Sequence, residues 1–274
     1  MVLAAGRGER MRPLTDTCPK PLLQVSGHPL LWYPLQALAQ AGVSATVINT
    51  GWLGNQVEPA FGSYLDSYSS AFAPVATTAS TYPMRLLYSH EGRGAGEALE
   101  TAGGIVRALP LLKEVFWVTA GDVFAPEFDF SPSSYERFIT STALAHIWLV
   151  PNPEHNPQGD FGLSADGLAL NLPRPPASTV WGPETSATEV TGGNLLSASH
   201  EAPRYTFSTI ALYKKAFFNE ARCGIPAGNP HFVKAPLAPL LRSAMNEGLV
   251  TASLYDGLWV DVGTPERLAQ LNAD

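Results

Sequence analysis

Cysteine is scarce in this sequence, and its histidines are scattered. The two cysteines, Cys18 and Cys223, lie far apart. A disulfide framework or a zinc site would need several closely spaced ligands, so the pattern predicts two free thiols. The six histidines show no spacing that is typical of a metal site or a catalytic dyad, although His155 falls near the predicted substrate loops.

Long hydrophobic runs are also missing. No apolar segment reaches the ~18 residues that a membrane-spanning helix needs. The apolar start, residues 1–6, is short and lacks the basic residues of a signal peptide. We therefore expect a cytoplasmic protein that does not enter a membrane.

Charged side chains make up only 15% of the chain, and the formal net charge is −7. Proteins that bind nucleic acid usually carry clustered Lys and Arg, so this balance argues against that class. It leaves phosphorylated small molecules open, because a local cationic site can lie on an acidic surface. With 274 residues, of which 45% are hydrophobic, the chain is long enough for a large α/β core.

Short apolar segments alternate with helical patterns along the first half of the chain. Strands are predicted at 1–5, 44–49, 84–88 and 115–120, and helices at 28–41, 54–61 and 97–109. This alternation predicts an α/β fold with a doubly wound, mostly parallel sheet. Pro34 lies inside the first helical pattern, where it predicts a kink.

The second half is less regular. Strands are predicted at 143–150, 205–213, 249–255 and 258–262, and helices at 236–247 and after the capping residue Thr264. Residues 63–83 are predicted as a surface insertion, and 151–203 as long loops with one hairpin over the sheet. No domain boundary is visible, so we expect residues 1–274 to form a single domain.

A glycine-rich turn follows the first predicted strand. It reads Leu3-Ala4-Ala5-Gly6-Arg7-Gly8-Glu9-Arg10-Met11-Arg12-Pro13-Leu14-Thr15, and Pro19-Lys20-Pro21-Leu22 comes soon after. Glycines let backbone N–H groups approach phosphate oxygens, and the arginines and Lys20 supply cations. The Walker pattern is absent, and Met11 stands where the dinucleotide fingerprint needs a third glycine. A loop of solvated basic residues is the alternative, which the preceding strand and the Pro-Lys-Pro sequence disfavour.

Asp122 and Asp261 each follow a short apolar run. Ligands of open α/β sheets bind beyond the carboxyl ends of the strands. A carboxylate there suits Mg²⁺, which prefers one or two carboxylates together with phosphate oxygens and water. Either residue taken alone is more typical of a turn or a cap, so both interpretations stay open at this point.

The glycine-rich stretch resembles the signature of the sugar-1-phosphate nucleotidyltransferase family, L-A-A-G-x-G-x-R-[LM]-x-P-L-T…P-K-P. Further pieces similar to the family follow in the family's order at 91–92, 99–104, 121–123, 152–153, 159–161, 205–208, 238–242 and 259–264. Within the family they most resemble the bacterial enzymes of cell-wall recycling that join UTP to N-acetylmuramate 1-phosphate. The resemblance implies a Rossmann-like, GT-A-like nucleotidyltransferase that forms a nucleotide sugar and releases pyrophosphate.

The resemblance also implies roles for single residues. Arg10 is expected to contact the β- and γ-phosphates, Lys20 the α-phosphate and the sugar phosphate, and Asp122 and Asp261 to share Mg²⁺. The nucleotide is expected at Leu3, Ala5, Gly6, Gly8, Glu91 and Gly92, and the sugar at Glu100, Thr101, Gly104 and Asp160. The acidic residues in these sets also fit plain roles: a surface carboxylate at 91, a favourable helix-terminal charge at 100 and an exposed loop residue at 160.

The identity of the sugar is less closely indicated. Thr209 stands where the relatives tend to have glycine, and residues 93–96 are inserted relative to them. Arg204, Arg174 and Arg93 are candidate partners for a muramate carboxylate. Alternatives are mannose 1-phosphate with GTP, glucose 1-phosphate with dTTP or UTP, and a non-catalytic regulator that binds nucleotide sugars. A glycosyltransferase is disfavoured, because its usual D-x-D metal motif is absent.

Overall fold

The strands and helices follow the predicted alternation through most of the chain. The computed structural model describes residues 1–65, 83–92, 98–173 and 203–273. The strands are β1 (Val2–Ala4), β2 (Gln24–Val25), β3 (His28–Pro29), β4 (Ala45–Thr50), β5 (Tyr64–Leu65), β6 (Met84–His90), β7 (Val115–Ala120), β8 (Val123–Phe124), β9 (Ala145–Val150), β10 (Phe161–Leu163), β11 (Ala169–Leu170), β12 (Arg204–Lys214), β13 (Val250–Leu254) and β14 (Val260–Asp261). The α-helices are α1 (Trp32–Gln40), α2 (Val57–Phe61), α3 (Glu100–Ala108), α4 (Pro132–Thr140), α5 (Glu220–Cys223), α6 (Leu237–Asn246) and α7 (Pro265–Leu271).

One large sheet has the strand order β11-β10-β12-β7-β1-β4-β6-β5, and β9 and β13 extend it from β12. Its centre, β7-β1-β4-β6, is parallel. β12 runs antiparallel to β7 and brings the chain back beside it. A separate two-stranded ribbon joins β14 to β8.

The side chains of β7 alternate between two core clusters. Val115 and Trp117 pack in one cluster, and Phe116 and Val118 pack in the other. Successive side chains of a strand point to opposite faces, so the two clusters cover the two faces of the sheet. Side chains of α3 and α6 belong to one cluster and those of α1 and α4 to the other. This arrangement confirms the doubly wound α/β prediction.

The first helix begins later than predicted. His28 and Pro29 form β3, which pairs with β2, and α1 begins only at Trp32. Pro34 therefore lies in the first turn of the helix, where its missing N–H removes no intrahelical hydrogen bond. The kink expected at Pro34 thus has no cause. Gly42, at φ 79°, follows the end of the helix, as predicted.

The second half confirms several details. Within the described residues, the loops after β9 hold the hairpin β10–β11, which forms an edge of the large sheet and does not lie over it as predicted. The Thr264 hydroxyl caps α7 by accepting from the Arg267 backbone N–H. Both cysteines are free. Most of the insertion predicted at 63–83, the inserted residues 93–96 and much of 151–203 lie outside the described residues. No helix in the described ranges is long and apolar enough to cross a bilayer.

Helix α4 was not predicted, although the sequence carries its start signal. Ser131 precedes the helix, and its hydroxyl accepts from the Ser134 backbone N–H at 3.1 Å. Pro132 occupies the first helical position, where its fixed φ suits the helix and its lack of an N–H costs nothing. A serine followed by proline is therefore a helix start here.

Replacement of the α4 cap should weaken the fold measurably. We expect Ser131→Ala to lower the free energy of unfolding by about 1 kcal/mol, because the Ser134 N–H loses its side-chain acceptor. Glu136→Ala, at an exposed position of the same helix, is the control and should change it by less than about 0.5 kcal/mol. Chemical denaturation of both variants measures the difference. An equal loss in the two variants would contradict the capping role.

Candidate active site

A cleft of about 710 Å³ opens beyond the carboxyl ends of the parallel strands. Parallel strands all end at the same edge of the sheet, so residues far apart in sequence meet there. Eight residues predicted for the substrate site line this cleft: Leu3, Ala5, Gly6, Glu91, Glu100, Thr101, Asp122 and Asp160. The structure thus brings together most of the residues that the family resemblance singled out.

The glycine-rich loop packs tightly against Lys20. Gly8 has φ 68°, and a Cβ on it would stand 3.0 Å from the Thr15 methyl group and 3.3 Å from the Lys20 Cβ. The Thr15 hydroxyl donates to the Gly8 carbonyl at 2.8 Å. Glycine is therefore required at position 8 both for the backbone conformation and for the close approach. Gly6, by contrast, is exposed at the cleft with open space above it.

Lys20 forms an ion pair with Asp122. The lysine is only 7% exposed, and its Nζ lies 2.5 Å from Asp122 Oδ2. Pro19 and Pro21 flank the lysine, and Asp122 follows Gly121, the first residue after β7. The pair joins the loop that is predicted to bind phosphates to the carboxylate that is predicted to bind the metal.

The ribbon of β8 and β14 places Asp261 beside Asp122. Asp261 pairs with Val123, and the Val262 backbone N–H donates to the Asp122 carbonyl at 3.1 Å. Asp261 thus lies on β14, and Asp122 directly precedes the partner strand β8. The pairing makes neighbours of two residues that are 139 positions apart in the chain, as two ligands of one metal would need to be, and the shared metal itself stays a prediction.

Three cationic or titratable side chains surround Asp261. Arg267 Nη1 lies 3.1 Å and His155 Nε2 3.5 Å from Asp261 Oδ2. Arg10 reaches the same place, because a Cβ on Gly263 would be 3.1 Å from both Arg10 Nη2 and Asp261 Oδ2. The sequence analysis did not predict that Arg267 belongs to the site, and the spacing of His155 gave no sign of its contact with Asp261. Tertiary packing alone brings both side chains to Asp261.

The two aspartates fit a magnesium ion better than a zinc ion. Among the described residues, no group of three His, Cys, Asp or Glu side chains could hold a metal by itself. Zinc would need about four such protein ligands, or three with water. Magnesium takes one or two carboxylates and completes its shell with phosphate oxygens and water. Asp122 and Asp261 therefore form a donor set that suits Mg²⁺ only together with a phosphorylated substrate.

Glu91 is a buried residue of the cleft floor, and the alternative of a surface carboxylate is wrong. It is 2% exposed, and it accepts hydrogen bonds from the Leu99 backbone N–H at 2.8 Å and from Asn49 Nδ2. Burial raises the pKa of its carboxyl group. Asn49 Oδ1 in turn accepts from the Ala4 backbone N–H at 2.6 Å. The network joins the ends of β1, β4 and β6 to the start of α3.

Asn49 is a cleft residue that the sequence-based prediction missed. It lies in β4 at 3% exposure and lines the cleft. The signal available in the sequence was the amide of Asn49, which directly follows the apolar pair Val47-Ile48 in a predicted strand. A buried amide must be hydrogen-bonded, which points to a network at that position.

Gly104 and Gly92 lie outside the cleft lining. A Cβ on Gly104 would overlap the Glu91 carboxylate, so the glycine has a packing reason of its own. Gly92 is exposed directly after Glu91. Sugar contact at Gly104 and nucleotide contact at Gly92 stay predictions. Glu100, with φ 61°, is the first residue of α3 and lines the cleft, so it occupies both the helix-terminal position and the predicted sugar side.

The far end of the cleft is built by β10, β12 and α6. Asp160 Oδ2 accepts from the Phe207 backbone N–H at 2.9 Å, which fixes its carboxylate at the wall. Thr209 also lines this end with φ 65°, inside a register shift between Phe207 and Ala211. A β-branched residue is strained in this conformation, and such strain is found most often at functional sites.

Arg204 does not face a substrate. Its guanidinium donates to the backbone carbonyls of Gln158, Gly159, Asp160, Leu172 and Pro173. These bonds hold the hairpin loops together, so the expectation that Arg204 pairs with a substrate carboxylate is wrong. Arg174 and Arg93 lie outside the described residues.

Comparison with known proteins agrees with this geometry. Residues 1–165 match the family model described as nucleotidyl transferase. The chain is 42% identical to N-acetylmuramate alpha-1-phosphate uridylyltransferase of Neisseria meningitidis serogroup B, over 100% of this chain and 96% of the relative. It is 29% identical to the protein of the same name from Caulobacter vibrioides, over 97% and 92%.

Solved structures show the same fold. A candidate glucose-1-phosphate thymidylyltransferase from Bacillus anthracis aligns at a TM-score of 0.68 with 19% identity, over 99% of this chain and 92% of that one. HddC from Yersinia pseudotuberculosis aligns at 0.61 with 18% identity, over 99% and 96%. The family match over more than half of the residues and the full-length similarity together show that this chain belongs to the nucleotidyl transferase family, as its sugar-1-phosphate nucleotidyltransferase signature predicted.

Proposed function

We propose that the protein transfers UMP from UTP to N-acetylmuramate 1-phosphate and releases pyrophosphate. The proposal rests on the length over which this chain is similar to its relatives. The family model covers residues 1–165, whereas the 42% identity to the Neisseria uridylyltransferase extends over the whole chain. It therefore includes β12 and α6, which build the far end of the cleft. The full-length relatives thus support the sugar as well as the reaction. Cell-wall recycling in the cytoplasm is the setting that we propose from the sequence resemblance.

The two ends of the cleft divide the substrates between them. Leu3 in β1 and Ala5 and Gly6 after it, with the Asn49–Glu91 network below them, form the end assigned to the nucleotide. Asp160, on the other side of Asp122 along the sheet edge, marks the end assigned to the sugar. The phosphates then lie between them, next to the pair of Lys20 and Asp122.

The chain's own residues position and neutralise charge. A phosphate oxygen of the sugar attacks the α-phosphorus of UTP, and pyrophosphate leaves in line. Because the attacking oxygen is already an anion, no general base is needed, and catalysis comes from orientation and electrostatic stabilisation. Lys20 is assigned to the α-phosphate and the sugar phosphate. Arg10, on the exposed loop, is assigned to the departing phosphates.

Asp122 and Asp261 would hold Mg²⁺ in this proposal. When bound, the ion neutralises charge on phosphate oxygens and orients the reacting groups. Asp122 also holds the Lys20 ammonium at 2.5 Å, so the same carboxylate orients the phosphate-binding cation. Arg267 and His155 hold Asp261 in place from the other side.

A substrate matrix tests the proposed reaction. UTP, GTP and dTTP are each combined with the 1-phosphates of N-acetylmuramate, N-acetylglucosamine, glucose and mannose, and pyrophosphate release is measured with Mg²⁺. We expect UTP with N-acetylmuramate 1-phosphate to give the highest kcat/KM. A higher value for another pair would replace the proposed substrates, and no release from any pair would indicate a non-catalytic relative.

Removal of either aspartate charge should abolish most of the turnover. We expect Asp122→Asn and Asp261→Asn to lower kcat by about 100-fold or more, because each removes an anionic ligand from a site that depends on charge. Asp129→Asn, an exposed carboxylate outside the cleft, is the matched control and should retain wild-type kcat. Titration with Mg²⁺ after chelation checks the metal directly. Near wild-type rates for both variants would refute the assignment.

Lys20 should contribute more to turnover than to binding. Lys20→Met keeps the aliphatic stem and removes the charge, and we expect kcat to fall by about 100-fold with a smaller change in KM for UTP. The ammonium is best placed to stabilise charge that develops during transfer. Lys113→Met, at an exposed position, is the control. An unchanged kcat with a raised KM would reduce Lys20 to a binding role.

A further inference from the structure

We infer that Arg242 selects a sugar 1-phosphate that carries a second anionic group, by pairing with a carboxylate on the sugar. The inference rests on the proposed function and assigns its sugar choice to one residue. Arg242 lies on α6, half-buried, and faces the cleft together with Leu237, Ala238 and Leu241 of the same helix.

The charge of the cleft makes this position distinctive. Among the described residues, the lining contains four carboxylates, Glu91, Glu100, Asp122 and Asp160, and one basic side chain, Arg242. A substrate carboxylate would be repelled along most of this wall. Opposite charge at close range stabilises an anion, so the place beside Arg242 is where such a group would be bound.

Arg242 lies at the sugar end of the cleft, away from the nucleotide end. Its guanidinium carbon lies 5.1 Å from the centre of the Phe161 ring, and Phe161 directly follows Asp160. In the sheet, β10 is separated from β1 by β12 and β7. The guanidinium is therefore placed for a group on the sugar and not for the triphosphate.

The guanidinium is held in place but keeps donors free for a ligand. Its Nη1 donates to Asn171 Oδ1 at 2.7 Å, and Asn171 is itself fixed by Asn246. No carboxylate in the described part of the chain lies within ion-pair distance of it. The Arg204 guanidinium, in contrast, donates hydrogen bonds to five backbone carbonyls. A planar guanidinium with a free edge matches the two oxygens of a carboxylate.

The Tyr213 hydroxyl, in the same cleft, has no hydrogen-bond partner among the described residues. Tyr213 is fully buried and lines the cleft. Burial raises the pKa of Tyr213, so the hydroxyl keeps its proton and can donate. A buried polar group without a partner is unfavourable unless a ligand or water satisfies it.

The test compares two sugars that differ only in the anionic substituent. N-acetylmuramate 1-phosphate carries a lactyl ether that ends in a carboxylate, and N-acetylglucosamine 1-phosphate carries a hydroxyl there. In Arg242→Gln we expect kcat/KM for the muramate substrate to fall about 10- to 100-fold, because the carboxylate loses a charged partner. The value for the glucosamine substrate should stay within about twofold. Arg242→Lys should recover part of the loss.

The controls separate a substrate contact from a structural role. Arg137→Gln, on the exposed side of α4, should leave both sugars unaffected, and thermal unfolding should show that the Arg242 variants stay folded. An equal loss for both sugars, or no loss for either, would overturn the inference while the reaction of the wild-type enzyme still stands. A wild-type enzyme that fails to prefer the muramate substrate in the matrix would overturn the proposed sugar first.

Discussion

The ion pair between Lys20 and Asp122 joins the two halves of the site. It connects the loop after β1 to the end of β7, and Gly8 can approach Lys20 only because it has no side chain. Through its carbonyl, Asp122 also holds the strand that carries Asp261. A buried lysine needs a charged partner, so loss of either member would disturb the loop, the ribbon that carries Asp261 and the cleft together.

Basic and acidic side chains occupy different parts of the cleft around this pair. The cations that suit phosphates lie on or near the loop, with Arg10 next to Asp261 and Lys20 next to Asp122. The walls carry acidic, neutral polar and apolar side chains, and among the described lining residues Arg242, at the opposite end, is the one basic side chain. A protein with net charge −7 can thus bind polyanions, because it concentrates its few cations where phosphates are neutralised.

The predictable part of the fold is the part with local periodicity. β7 was predicted at its observed bounds because six consecutive apolar or small residues form a buried strand. The start of α1 was misplaced, because the two residues before it pair with a neighbouring strand that no local pattern reveals. Helix α4 was missed although its serine cap and proline were visible, since its apolar periodicity is weak.

The sequence by itself indicated the reaction class, because the glycine-rich loop and the lysine between prolines carry the signature of the nucleotidyltransferase family. The two aspartates after apolar runs predicted a metal site. Only the tertiary structure decided which side chains are available to a substrate. Arg204 and Arg242 have the same chemistry, yet the donors of the first are occupied by backbone carbonyls and the second opens into the cleft. Hydrogen-bond partners come from residues distant in the chain, so sequence spacing carries no record of them.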